Sequence, residues 1–217
     1  KLKKKVIIIV AVVIAVLAII IGGFAYFMAS DLKQEEKLAT EMTELNELLN
    51  KEEFDKNLIK ERLDRIVTKG DYALVEKACK QYLSDVFNVS QKIADTLSND
   101  SISKLLSIEN YKTDGPEFNN TKKYIAETKQ TLAELKDNYY ELLTEEKVMS
   151  YINDKGLNSY YTDLYNKEVI GDLENERNDK TVDEAMNGII TLLDSVEKII
   201  DFLIENSGSR RNLEIDF

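Results

Sequence analysis

The segment TVDEAMNGIITLLDSVEKIIDFLIEN, Thr181 to Asn206, sets the fold class. Met186, Ile189, Ile190, Leu193, Val196, Ile199, Ile200 and Leu203 recur at the three- and four-residue intervals of a helix with one broad apolar face. Thr181 and Glu184 stand in the S/T-x-x-E relation of a capping box, in which each side chain satisfies an orphan backbone N–H. Asn206-Ser207-Gly208 closes the segment. Long and broadly apolar, this helix is predicted to be the central, most buried member of its domain.

The same period recurs upstream. Phe118, Ile125, Thr128, Leu132, Leu135, Tyr139 and Leu142 mark a regular helix, and Thr144 caps a short one with Val148, Met149 and Ile152. Val75, Cys79, Tyr82, Val86, Ile93 and Leu97 form a further face, beginning near Asp71. Leu38, Met42, Leu45 and Leu49 make a stripe that Phe54, Leu58, Ile59, Leu63, Ile66 and Val67 extend, with Gly70 placed to end it. Asn110 to Glu117 is predicted to be the longest irregular stretch, with Asp114-Gly115-Pro116 as turn chemistry. Asn158 or Ser159 opens a more polar helix carrying Leu164, Tyr165, Val169 and Leu173. Leu213 to Phe217 alternates at period two, as a short strand or a docking tail would.

The first residues differ in kind. Lys1, Lys3, Lys4 and Lys5 precede an uncharged apolar run, Val6 to Met28. At ~1.5 Å per residue that run spans ~35 Å, enough for the hydrocarbon core of a bilayer. Basic residues beside a span stay on the cytoplasmic side, so the expected orientation is N-terminus inside and the rest outside. The apolar stretch is too long for a cleavable signal and no A-x-A-like site follows it; cleavage after Ala29 would instead secrete the domain. The expected organisation is a basic N-terminus (1–5), a transmembrane anchor (6–29), a helical-bundle ectodomain (30–208) and a C-terminal tail (209–217). The expected fold is all-α: one N-terminal transmembrane helix, then an extracytoplasmic antiparallel bundle of roughly five to seven helices.

No acid lies before Asp31, so 40 acidic against 25 remaining basic residues leave −15 for everything after the anchor. That charge disfavours nucleic acid as a partner. The Lys-, Asn- and Ile-rich usage without Trp is that of an AT-rich genome, such as a low-GC Gram-positive bacterium. In architecture the chain resembles the single-pass, outward-facing helical bundles of Gram-positive envelopes, and no residue motif ties it to one family.

The sequence contains no histidine and one cysteine, Cys79. Ser-His-Asp and Cys-His nucleophiles, zincin sites and Glu-x-x-His di-iron sites are therefore excluded from it. No phosphate-cradling glycine loop and no EF-hand loop is present. Paired carboxylates remain available for glycosidase-like chemistry, but no apolar pocket is marked for them. No cofactor or metal is expected, and Lys122, Lys123, Lys129 and Lys136 read as a solvated face. Tyr139, Tyr140, Tyr151, Tyr160, Tyr161 and Tyr165 cluster within a short span and are the candidate binding residues, tyrosine combining contact area with a polar handle. The expectation is a non-catalytic binding or scaffold module at the cell envelope. Its expected partners are the lipid bilayer, through Val6 to Met28, and an envelope protein, peptide or wall polymer. The alternatives are a ligand-sensing ectodomain working with a separate membrane partner, and a carboxylate-based envelope enzyme.

Overall fold

Every regular element among the described residues is a helix. The structure is a computed structural model describing residues 33–49, 55–98, 102, 104–153, 155–163, 165, 173 and 181–211. Seven helices have assigned bounds: α1 Lys33–Leu49, α2 Lys56–Asp64, α3 Asp71–Ser98, α4 Ile108–Asp114, α5 Asn119–Leu142, α6 Glu145–Ser150 and α7 Thr181–Arg211; residues 159–163, where a more polar helix is expected, are helical as well. The apolar run Val6 to Met28 and the alternating tail from Leu213 lie outside the described residues. Among those described, no helix is long and apolar enough to cross a membrane.

The middle of the bundle is not the helix that the hydropathy pattern places there. α3 packs against α1, α2 and α5, and α5 in turn against α4, α6 and α7. α3 buries the expected Val75, Cys79, Tyr82, Val86 and Ile93, and also Leu83, Phe87, Glu76, Lys80 and Ser90. At 100° per residue these span about 160°, and buried Ala78 widens the arc to about 200°, more than half the circumference. α7 packs chiefly on α5 and buries one stripe: Val182, Met186, Ile189, Leu193, Val196 and Ile200. Leu192, Ile199 and Phe202 on its flank stay 37%, 44% and 63% exposed. Apolar content overstated the burial of α7, and a charged pair hid the burial of α3.

Of the four α5 lysines expected to be solvated, Lys123 stays exposed, whereas Lys122, Lys129 and Lys136 link the helix to α7. Lys122 meets Asp201 at 2.6 Å, Lys129 meets Asp194 and Glu197 at 2.6 Å each, and Lys136 meets Asp183 at 2.7 Å. Partner numbers fall as lysine numbers rise, so the two helices are antiparallel. The lysines are seven residues apart, two turns, which keeps them on one edge of the contact. Each half-exposed pair contributes on the order of 0.2–1 kcal/mol, so the ladder sets direction and register more than stability.

Two local expectations change. α2 ends at Asp64, and Arg65 to Lys69 runs without helical structure before Gly70 at φ +63°. The helix stops five residues early because side chains of α3 take over the backbone polar groups. Glu76 accepts from the N–H groups of Val67 and Thr68, and Lys80 donates to the Arg65 carbonyl. Within the expected irregular stretch, α4 forms because Ser107 caps it, accepting from the Asn110 N–H. It buries none of its own side chains, so it leaves no apolar period to detect.

Asp114 then caps α5. Its carboxylate accepts from the backbone N–H groups of Asn120 and Thr121 and from the Thr121 hydroxyl at 2.7 Å. Gly115 between them has no room for a side chain: a Cβ would lie 2.4 Å from the Tyr111 carbonyl oxygen. Gly115→Ala should therefore destabilise the bundle by about 1–3 kcal/mol, read as a lowered denaturation midpoint. An unchanged midpoint would show that the turn yields.

Candidate functional site

Three stretches of chain meet along one side of α3. Lys77, Gln81, Ser84 and Asp85 repeat at helical spacing on its outer face. Leu63 and Asp64 come from the end of α2, Ile66 from the extended segment, and Tyr151 from the residue after α6. Together with Lys80 they enclose an open groove of about 600 Å³, within the ~300–1,000 Å³ range of small-molecule sites. The Tyr151 hydroxyl donates to Asp85, tying α6 to α3 across the groove. Burial, with the Asp85 carboxylate, pushes the Tyr151 phenol above its ordinary range. It therefore stays a neutral donor at any physiological pH.

The groove rests on a buried charge network. Lys80 is 1% exposed, and its three ammonium donors find three acceptors: Glu76 at 2.8 Å, Glu41 at 2.9 Å and the Arg65 carbonyl at 2.8 Å. Glu41 also accepts from Arg65 Nε at 2.9 Å and from Arg62 at 3.1 Å. Glu76, fully buried, accepts from the Thr68 hydroxyl at 2.6 Å besides the two backbone N–H groups. Two buried carboxylates thus face one buried ammonium, with the guanidinium of Arg65 closing the balance. Every donor of Lys80 is used, which is the condition for burying such a group at tolerable cost.

Burial raises the Glu41 carboxyl, but hydrogen bonds from Arg65 and Lys80 outweigh it and bring it down to about 2. Burial likewise opposes Glu76, and its bonds from Lys80, Thr68 and Val67 still hold it below the ordinary range. Both folded values lie below the unfolded one, so the stability these groups carry is complete above about pH 4.5 and lost as pH falls through the folded values. Helical circular dichroism should hold at about pH 5 and decline below about pH 4. Glu41→Gln should flatten that decline; an equally steep loss in the variant would place the acid sensitivity elsewhere.

The six candidate tyrosines divide. Tyr139 and Tyr165 are 2% and 0% exposed and belong to the core. The Tyr165 hydroxyl donates to the Val148 carbonyl at 3.3 Å. Tyr140 is half-buried and edge-on to Tyr139. Tyr151 lines the groove, with its ring against buried Tyr82 at 5.6 Å. Tyr161 packs edge-on against Tyr72 at 5.3 Å and against the exposed Tyr160, also at 5.3 Å. Of the six, only Tyr151 faces the groove; the other groove residues escaped the sequence reading. One sequence signal bore on them. The doublets Ala78-Cys79, Tyr82-Leu83 and Val86-Phe87 widen the apolar arc of α3, so that Glu76 falls inside it and Lys80 at its margin rather than on a solvated face.

Cys79 is buried, and burial, with Glu76 nearby, raises its thiol well above the ordinary range. It is a core side chain, not a nucleophile. Among the described residues no three acidic or thiol groups converge in a way that could hold a metal ion. No family model matches the chain, and neither a curated protein nor a solved structure matches it.

Proposed function

We propose that this chain is a non-catalytic binding or scaffold module, held at the outer face of a cell membrane by Val6 to Met28. The groove beside α3 is its contact site. One observation carries this reading: a groove of about 600 Å³ whose wall sets polar side chains beside Leu63 and Ile66, over a floor held by a fully paired charge network. Asp64, Asp85, Lys77, Gln81 and Ser84 supply acceptors, an ammonium, an amide and a hydroxyl, a set suited to a hydrogen-bonding partner such as a peptide or glycan segment. Floor rigidity favours recognition, because little ordering entropy remains to be lost on binding.

A photo-crosslinker at Gln81, in the full chain in its native membrane, tests this. The expected result is a discrete adduct that Asp85→Lys abolishes and that a crosslinker at the exposed Lys123 does not form. Adducts of equal yield at both positions would defeat the proposal, as would hydrolysis of a wall polymer by the purified protein. The groove volume also supports the ligand-sensing alternative. Stabilisation by a small molecule, lost with Tyr151→Ala, would favour sensing over scaffolding.

A further inference from the structure

The flank of α7 turned away from its lysine ladder carries a second seam. Ala185, Gly188, Leu192, Ser195, Ile199 and Phe202 follow one another at intervals of 3, 4, 3, 4 and 3, the a/d repeat of a two-helix seam. At 100° per residue this seam lies about 100° from the buried stripe, on the side opposite Asp194 and Asp201. Its large members are open, Leu192, Ile199 and Phe202 keeping exposures of 37%, 44% and 63%, while Ala185 and Gly188 are half-buried, Ala185 against the core. The seam is graded, small at its N-terminal end and large at its C-terminal end.

We propose that α7 pairs antiparallel with α7 of a second copy of this chain through this seam. With a twofold axis between Leu193 and Asp194, every layer sets a large residue against a small one. Phe202 faces Ala185, Ile199 faces Gly188, and Leu192 faces Ser195, each then repeated with the copies exchanged. Alternation of large and small across a contact lets two backbones approach without voids. A parallel pair would instead stack Phe202 on Phe202 and Gly188 on Gly188. The one polar group in the seam is already satisfied, since the Ser195 hydroxyl donates to its own Thr191 carbonyl at 2.8 Å. Burying it leaves no donor unpaired.

The available area suits a pair. Beside the seam, an apolar pocket of about 250 Å³ between α4 and α7 is rimmed by Leu106, Ile108 and Tyr111, which are 48%, 77% and 44% exposed. With the three large seam residues these side chains offer on the order of 600 Å² per copy, or ~1,200 Å² for a pair, the lower edge of specific interfaces. Glu184 and Glu205 of opposite copies approach at the ends of the pair. Both copies are also acidic, so added salt should favour association.

Ser195→Cys in the full chain, in its native membrane and treated with a short bismaleimide, tests the pairing. Cys79 does not compete, being 2% exposed. The expected product has twice the chain mass and forms on the order of ten times faster than from Lys123→Cys, because bonding within a pair is effectively intramolecular. Added salt should raise its yield, and Ala185→Cys, remote from itself in an antiparallel pair, should not link. Phe202→Glu in the Ser195→Cys background should remove the product without moving the melting transition. Leu192→Glu takes its place if Phe202→Glu lowers the melt. The proposal is overturned if Ser195→Cys links no faster than Lys123→Cys, or if its adduct contains a different protein. It is equally overturned if Ala185→Cys links to itself, or if the surface charge leaves linking unchanged.

Discussion

Lys80→Met should destabilise the bundle by about 3–5 kcal/mol, the cost of removing one partner from a buried charge network. In a protein of this size that is a fall of roughly 10 °C or more in the thermal midpoint. The volume lost is small, so the effect is electrostatic. Glu76 and Glu41, at 0% and 3% exposure, would be left facing each other without the ammonium that both bond. The Arg65 carbonyl would lose its donor as well. The damage should be specific in kind. Adding Glu41→Gln to Lys80→Met removes one orphaned charge and should recover part of the loss, a coupling that a double-mutant cycle measures. A midpoint unchanged in Lys80→Met would mean that water reaches this network and that the groove floor is soft. A loss with no recovery in the double variant would mean that shape, not charge, matters at this position.

The helical class and most helix positions follow from periodicity alone, because a 3/4 repeat has one common structural cause. The stripe of α5 shows this: Ile125, Thr128, Leu132, Leu135, Tyr139 and Leu142 are all buried as spaced. What periodicity does not encode is which faces find a partner. Ile199 and Ile200 are adjacent and equally apolar, yet one is 44% exposed and the other 0%. Pairing of opposite charges is also invisible at the level of one residue. Glu76 and Lys80 look like a surface pair four residues apart, whereas Glu41, 39 residues before Lys80, completes a buried network. The groove was hidden for the same reason, since its lining comes from α2, α3 and the residue after α6, and only tertiary packing assembles them. Tyr151 was accessible to sequence reasoning because its residue type alone suggests a surface role.

The contrast between Leu193 and Phe202 gives the second large effect. Leu193→Asp should unfold the bundle or leave it barely stable, whereas Phe202→Asp should shift the denaturation midpoint little. Leu193 is 0% exposed and lies at the middle of the buried stripe of α7. Its loss forfeits about 1.5–3 kcal/mol of apolar burial. An aspartate in its place adds the penalty of an unpaired buried carboxylate, several kcal/mol even after its pKa rises. Their sum approaches the ~5–15 kcal/mol that holds a typical domain folded. Phe202, 63% exposed within the chain, lies outside the buried stripe, so a carboxylate there breaks none of the bundle's own packing. Ile190 is half-buried and should fall between the two on substitution by Asp. This ordering discriminates between two pictures of the same helix. A central α7, apolar on all sides, would make the three substitutions comparably damaging. An α7 that docks on α5 by one stripe separates them widely, and only that arrangement leaves a second apolar seam free for another chain.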